Sequence, residues 1–213
     1  MKVISTNIGE PQIVSWRGKE VKTGIYKHPV NLPIYLDKED VKNDHVIDRR
    51  YHGGVDKACY IYATDNYSYW KEKYPDLDWN YGMFGENLTV SGFDEKKIKI
   101  GSIYALGEAT VQISRPRQPC YKLGIRFGNQ AIIKQFVDSL LSGVYVRVLV
   151  PGEVKVNDEF VLDTENSEGI SISELNTLLF HYDDTLHKNL LQKALDDPLI
   201  SESDKKYFKK HAS

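Results

Sequence analysis

The chain has 213 residues, of which 41% are hydrophobic, and this is enough for one large domain or for one domain with a small appendage. Its formal net charge of −2 gives no overall attraction to nucleic acid or to an anionic membrane, so an anion site would have to be local. Two cysteines are too few for a fold stapled by several disulfides or for the four thiolates of an iron–sulfur cluster.

The first 165 residues predict many short strands separated by turns. Residues 2–8 alternate like an opening strand and lack the apolar region of a signal peptide. No run approaches the ~18 apolar residues that span a bilayer. We therefore expect a soluble, cytoplasmic protein without a membrane partner. The other predicted strands are residues 12–14, 20–23, 57–63, 87–90, 98–100, 102–106, 109–113, 144–150 and 159–162.

Two helical insertions interrupt these strands. Residues 65–74 place aromatic side chains at helical spacing before Pro75, and residues 130–141 carry an apolar stripe that ends before Gly143. In the strand at residues 57–63, Cys59 alternates with tyrosines, which is typical of an inert core cysteine. The pattern predicts a mainly β fold, a closed or partly open barrel, with helical insertions.

The composition changes near residue 170. Ser171 and Glu174 have the spacing of a capping box, in which each side chain satisfies a free amide at a helix start. Leucine stripes then predict helices near residues 171–179 and 184–195, and a third helix is predicted at residues 201–211, after Pro198. We expect a β-barrel domain at residues 1–165 and a C-terminal three-helix domain at residues 170–213, joined by a linker at residues 165–169.

Cys120 lies in a segment that is both basic and rich in proline. Three cations, Arg115, Arg117 and Lys122, flank it and favour thiolate over thiol. Pro116 and Pro119 predict a shaped loop at this position rather than a helix. A thiolate can ligate a soft metal or attack an electrophile, although a free cysteine is also often an inert core residue.

Two glycine-containing segments could form binding loops. Residues 48–58 place Gly53 and Gly54 between basic residues, and such a loop suits phosphate or another oxyanion. A surface turn with solvated charges is the alternative. Residues 81–88 carry two glycines with Glu86 and Asn87 before a strand, which fits a ligand-facing edge or a structural turn equally well.

These segments together resemble a known family. The order Asp-Arg-Arg-Tyr-His-Gly-Gly-x-Asp-Lys-Ala, Phe-Gly-Glu-Asn-Leu and Arg-Pro-Arg-Gln-Pro-Cys is similar to the MOSC domain, named for the C-terminal part of molybdenum-cofactor sulfurases. The C-terminal helices match its YiiM-like branch. The resemblance implies a MOSC-type β-barrel that binds the pyranopterin molybdenum cofactor, rather than pyridoxal phosphate, in the cytoplasm.

The resemblance also implies a set of site residues. Cys120 matches the cysteine that ligates molybdenum or carries sulfur in the family. The polar residues expected around the cofactor are Arg49, Arg50, His52, Gly53, Gly54, Lys57, Glu86, Asn87, Arg115 and Arg117. Basic residues and close backbone amides suit an anionic cofactor, and the dithiolene-held metal accepts one more soft thiolate.

The implied function is a molybdenum-dependent reductase of N-hydroxylated compounds, such as hydroxylamino purines, with a role in detoxification. His52 is the candidate acid that protonates the departing oxygen, since a histidine pKa can lie near neutrality, although it could instead orient a neighbour. No Gly-x-Gly-x-x-Gly motif follows a strand, so the electrons are expected from a separate donor protein.

Two alternatives remain open at this point. Cys120 could hold a persulfide or the cofactor in transit, which would make the protein a carrier without turnover. The C-terminal helices could recruit a partner in a non-catalytic protein. A homodimer is compatible with the sequence, and the balanced charge gives no reason to expect a nucleic acid polymer as partner.

Overall fold

The structure, a computed structural model, describes residues 1–211, with the side chains of Arg50, Tyr51 and His211 outside the described part. The strands are β1 (Lys2–Gly9), β2 (Gln12–Trp16), β3 (Lys19–Thr23), β4 (Lys27–Val30), β5 (Ile34–Leu36), β6 (Cys59–Ala63), β7 (Leu88–Ser91), β8 (Ile103–Leu106), β9 (Ala109–Pro116), β10 (Val144–Val150), β11 (Gly152–Val154) and β12 (Phe160–Thr164). The helices are α1 (Arg49–His52), α2 (Thr64–Lys73), α3 (Tyr121–Arg126), α4 (Ala131–Ser139), α5 (Ile172–Phe180), α6 (Asp184–Asp196) and α7 (Glu202–His211).

Eight strands form one mixed sheet in the order β12-β8-β9-β10-β6-β7-β1-β4. The pairs are antiparallel except β6–β7, which is parallel. Within residues 1–211 the sheet is not closed into a barrel, so a closed barrel is the wrong description. Its β12 edge meets β1 through a bridge between Lys2 and Glu159, with a bond from Val3 N–H to the Asp158 carbonyl at 2.9 Å.

The central strand β6 is buried on both of its faces. All five residues of Cys59–Ala63 are buried, so the strand packs against one core on each side. The larger core holds Cys59 and Ile61, and Cys59 is thus the core residue predicted from alternation. The smaller core is aromatic, and it packs Tyr60 and Tyr62 against α2 and α4.

The two helical insertions are confirmed as α2 and α4, and three details of the prediction differ from the structure. α4 ends at Ser139 because Leu140 takes a left-handed conformation with φ of 58°, before the predicted stop at Gly143. The segment before Cys120 continues β9 as far as Pro116, and α3 begins directly after Cys120, so the predicted loop is confined to residues 117–120. Residues 98–100 form no strand; Lys99 bridges to Ser171 there.

The C-terminal helices pack on the sheet. Leu175 of α5, Ala194 of α6 and Phe208 of α7 belong to the same apolar core as Val111 and Val146 of the central strands. The division into domains at residues 1–165 and 170–213 stays a prediction, while the packing gives the helices a shared core with the sheet. None of the described helices is both long and apolar enough to cross a membrane.

The capping box at the start of α5 is confirmed. Glu174 N–H donates to Ser171 Oγ at 3.1 Å, and Ser171 N–H donates to the Glu174 carboxylate at 2.6 Å. The Ser171→Ala variant should therefore lose about 1 kcal/mol of the free energy of unfolding, because one amide at the helix start loses its acceptor.

Urea unfolding monitored by circular dichroism would measure this loss. Ser173→Ala, in the same helical turn but not at the cap, is the matched control and should change stability by less than about 0.5 kcal/mol. Equal losses in both variants would show that the cap is not what stabilises this helix start.

Candidate functional site

Cys120 lies where two neighbouring cavities meet. Asp48, His52, Lys57, Cys120, Lys122 and Tyr145 line both cavities. The inner cavity continues towards the sheet and is closed there by Tyr60, Asn87 and Arg117. The outer cavity opens beside Arg115, Gln118 and Tyr121. We refer to the two cavities together as the Cys120 cleft.

The end of β9 places the thiol in this cleft. Arg115 and Pro116 pair with Tyr145 and Val144 of β10, and the chain leaves the sheet after Pro116. Cys120 is then the last extended residue before α3, with φ of −129° and ψ of 171°, and its carbonyl accepts the first helical bond from Leu123 N–H at 2.9 Å. The Cys120 side chain is partly exposed, whereas Cys59 is buried and burial raises its pKa to about 12. Cys120 is therefore the accessible thiol of the pair.

Arg117 brings a buried positive charge to the inner cavity. It is 6% exposed, and its guanidinium carbon lies 5.2 Å from the centre of the Tyr60 ring and 5.5 Å from that of Phe136. Aromatic faces attract a cation, but they cannot accept all of its N–H bonds. Within the described part of the chain, Arg117 Nη1 is buried and has no hydrogen-bond partner. An anionic group in the inner cavity could accept from this nitrogen.

The double-glycine loop forms the opposite wall. Gly54 has φ of +93°, a conformation that a glycine adopts without steric cost, and the following 3-10 turn Val55–Lys57 carries Lys57 into the cleft. Ser114 Oγ of β9 donates to the Asp56 carbonyl at 2.6 Å and so ties this loop to the strand that leads to Cys120. The double-glycine motif is thereby joined to the residue that directly precedes the cysteine motif.

Burial and nearby cations set the charge states in the cleft. Burial, with a further contribution from Arg115, lowers the pKa of Lys57 to about 8, so its amine still carries a proton at pH 7. Burial, with Arg117, Lys57 and Lys122, lowers the pKa of His52 to about 4. The expectation that this imidazole titrates near neutrality is therefore wrong for the described structure, and His52 is neutral at pH 7.

Several other predicted site residues have different surroundings. Arg49 is directed outward and pairs with Asp40 at 2.6 Å and with Glu39 at 3.2 Å, which raises its pKa. Gly53 and Gly54 shape the loop and are not among the lining residues of the cleft. The side chain of Arg50 lies outside the described residues. A cofactor contact by any of these four residues stays a prediction.

Glu86 and Asn87 support the inner cavity from behind. Glu86 is fully buried, accepts from Tyr67 Oη and from Gly82 N–H at 2.8 Å, and burial raises its pKa. Asn87 lines the cavity, but its amide donates to Asp44 at 3.0 Å and accepts from Tyr60 N–H at 3.3 Å. The structure therefore gives both residues supporting contacts, and a direct contact with a ligand stays a prediction.

Sequence reasoning missed two features of the cleft. Tyr145 lines both cavities, and the alternation of β10 with valines at residues 144, 146 and 148 could have placed it on the opposite face. An ion pair between Lys27 and Asp44, at 2.6 Å, lies at the inner end. Burial alone would raise the pKa of Asp44, but the pair with Lys27 and the amide bonds lower it. No local signal predicts this pair, because its partners are far apart in the sequence.

The side chains of the cleft fit a ligand in which an organic chelate already holds the metal. Among the described residues, no three His, Cys, Asp or Glu side chains lie close enough together to hold a metal ion. The cleft offers one accessible thiol, a buried guanidinium with an unmet donor, and the amine of Lys57. A soft metal carried by an anionic organic chelate needs one further thiolate and cationic partners, and these residues can supply both.

The comparisons with known proteins agree with the motifs. A family model described as MOSC domain matches residues 48–161. The chain is 35% identical to the protein YflK of Bacillus subtilis (strain 168), over 98% of this chain and 93% of that protein. The crystal structure of YiiM from Geobacillus stearothermophilus has a TM-score of 0.82 at 30% identity and covers 100% of this chain and 99% of its own.

A further relative is named only for a general activity. A protein of Gibberella moniliformis (strain M3125 / FGSC 7600) named "Reductase" is 32% identical over 68% of this chain, which corresponds to 26% of that longer protein. The similarity therefore concerns one part of a larger relative.

The lowered pKa of Lys57 leads to a stability prediction. Below pH 8 the folded protein holds a partly buried ammonium whose pKa is lower than the ordinary 10.5, so protonation costs folding free energy. Lys57→Met should raise the free energy of unfolding at pH 7 by about 2 kcal/mol, since one pKa unit corresponds to about 1.4 kcal/mol and part of the shift is screened.

Urea unfolding between pH 7 and pH 10.5 would measure this effect. The advantage of Lys57→Met should shrink as the pH rises from about 8 to 10.5, because the wild-type amine loses its proton there. Lys96→Met, at an exposed lysine, is the matched control and should change little. A Lys57→Met protein that is no more stable than wild type at pH 7 would contradict the assignment.

Proposed function

The chain belongs to the MOSC domain family, in its YiiM-like branch, and from this we propose that the Cys120 cleft binds the pyranopterin molybdenum cofactor and that the protein reduces N-hydroxylated compounds. The observation that carries the proposal is the partly exposed thiol of Cys120 in one cleft with buried Arg117, whose Nη1 lacks a partner within the described residues. The relative named as a reductase supports a reductive activity in general.

The residues of the cleft have distinct proposed roles. Cys120 supplies the thiolate for the metal, and Arg117 and Lys57 neutralise the negative charge of the cofactor. When bound, the cofactor supplies a two-electron metal centre that can take the oxygen from an N–OH group. Tyr60 and Phe136 hold the Arg117 guanidinium in place through their ring faces, in the wall of the inner cavity.

The overall reaction needs protons as well as electrons. An N–OH group takes up two electrons and two protons and yields N–H and water, and we propose that the electrons come from a separate donor protein. His52 is neutral at pH 7 and a poor acid in this state, whereas Lys57 Nζ carries a proton. We therefore propose Lys57 rather than His52 as the residue that holds the proton for the departing oxygen, with His52 orienting its neighbours.

The first prediction from this proposal concerns the metal. Cys120→Ser protein from a host that makes the cofactor should contain about tenfold less molybdenum than wild type, or less still. Loss of a residue that supports a metal ligand already lowers metal affinity by about tenfold or more, and loss of the ligand itself should lower it at least as much. Elemental analysis of the purified protein would measure it, together with reduction of a hydroxylamino purine when a chemical electron donor is supplied.

Cys59→Ala is the matched control, since it removes the other thiol from the core and should leave the molybdenum content unchanged. Full molybdenum content and full reduction in Cys120→Ser would contradict the proposal. An added sulfur atom on Cys120 in native protein without molybdenum, seen by mass spectrometry, would favour the alternative of a sulfur or cofactor carrier.

The second prediction concerns the proton. Lys57→Arg keeps a positive charge, but arginine does not release its proton in proteins. If Lys57 Nζ delivers the proton, kcat should fall by about 100-fold while the molybdenum content stays at the wild-type level. The wild-type rate should decline as the pH rises through about 8, or higher with an anion bound, because Lys57 then loses its proton.

Lys122→Arg makes the same exchange at another lysine of the cleft and serves as control. Retained activity in Lys57→Arg, together with a lost alkaline decline, would show that Lys57 contributes charge and not a proton.

A further inference from the structure

Two arginines of neighbouring strands reach from the sheet to the chain segment 199–204 at the start of α7. Arg115 of β9 donates to Asp204 at 2.6 Å and to Ser203 Oγ at 3.2 Å. Arg147 of β10 donates to the Leu199 carbonyl at 3.0 Å. The Arg115–Asp204 pair is buried, with side chains 6% and 3% exposed. This segment therefore contacts the two strands that build the Cys120 cleft.

Both arginines are also connected to residues in the walls of the cleft. Arg115 precedes the buried Arg117 by two residues and lines the outer cavity itself. Arg147 donates through Nε to the Asp56 carboxylate at 2.6 Å, and Asp56 adjoins Lys57 in the double-glycine loop. One short segment of the C-terminal helices thus holds the cysteine strand and the double-glycine loop at once.

Asp204 is itself held rigidly. It occupies the first turn of α7, its N–H donates to Ser201 Oγ at 3.2 Å, and its second carboxylate oxygen accepts from the same hydroxyl at 2.7 Å. A carboxylate in this position is favoured by the helix dipole. If it were removed, the Arg115 guanidinium would be a buried charge without its partner.

We propose that Asp204 is a positioning residue of the cofactor site: by pairing with Arg115 it fixes the strand end that carries Arg117 and Cys120, and it balances the positive charge next to Lys57. This inference rests on the proposed function only for the identity of the ligand, since the contacts concern the chain itself. It gives the C-terminal helices a role in completing the site.

The electrostatic part of this role can be observed at Lys57. Burial has the largest effect on the pKa of this lysine and lowers it; Arg115 lowers it further, whereas Asp204 and Asp56 raise it. The other titratable or charged groups that line the cleft are Lys27, Asp44, His45, Asp48, His52, Tyr60, Arg117, Cys120, Tyr121, Lys122 and Tyr145. Removing Asp204 and removing Arg115 should therefore move the proton affinity of Lys57 in opposite directions, which partial unfolding cannot do.

The test compares Asp204→Asn, which keeps the shape but loses the charge, with Arg115→Met. The reactivity of each lysine towards a limiting acylating reagent would be followed from pH 6 to pH 10 by peptide mass spectrometry on the full chain. Asp204→Asn should raise the labelling of Lys57 at pH 7, by about fivefold if the pKa falls by one unit, and Arg115→Met should reduce it. Asp204→Glu, which restores the charge, should bring labelling back towards wild type.

Asp196→Asn makes the same substitution at an exposed aspartate of α6 and should leave Lys57 unchanged. Molybdenum content, measured on the same variants from a cofactor-producing host, should fall in Asp204→Asn and not in Asp196→Asn. Unchanged labelling of Lys57 in Asp204→Asn and in Arg115→Met would overturn the proposal. Absence of molybdenum from the wild type would instead refute the proposed function, and the labelling would still decide the role of Asp204.

Discussion

The excess of positive charge around Cys120 is the constraint on which the site depends. The inner cavity is lined by four cationic side chains, Lys27, Lys57, Arg117 and Lys122, and by two carboxylates, Asp44 and Asp48. Burial first, and nearby cations second, lower the pKa values of both His52 and Lys57: Arg117, Lys57 and Lys122 act on His52, and Arg115 of the outer cavity acts on Lys57. Because an anion in the cleft would raise both pKa values, the arrangement is more costly without a ligand than with one.

The way in which Arg117 is held separates it from the structural arginines of the same sheet. Arg115 and Arg147 each reach a carboxylate at 2.6 Å, and their charges are balanced within the fold. Arg117 instead rests between aromatic rings, which stabilise its charge without occupying all of its donors. The aromatic core thus stabilises a buried guanidinium whose Nη1 has no hydrogen-bond partner among the described residues.

Local patterns predicted the parts of this structure that depend on neighbours in the chain. The α5 capping box, the apolar stripe of α4 and the core position of Cys59 all follow from short-range spacing. Family resemblance brought the three motifs towards one site, and His52, Lys57 and Cys120 do line one cleft. Contacts between distant segments were not predictable in this way, and the Lys27–Asp44 and Arg115–Asp204 pairs are both of that kind.

The same distinction explains why charge states are harder to predict than positions. The sequence places His52 near basic residues, but the size of its pKa shift depends first on burial, which the tertiary fold determines. Lys57 shows the point more clearly, since Arg115 is 58 positions away in the sequence and Asp204 is farther still. The pKa of Lys57 therefore depends on burial and on charged residues from distant segments of the chain, one of which, at Asp204, lies outside the three motifs. In this fold the C-terminal helices provide one of those segments, and their packing on the sheet places the Asp204 carboxylate against Arg115, which lines the outer cavity.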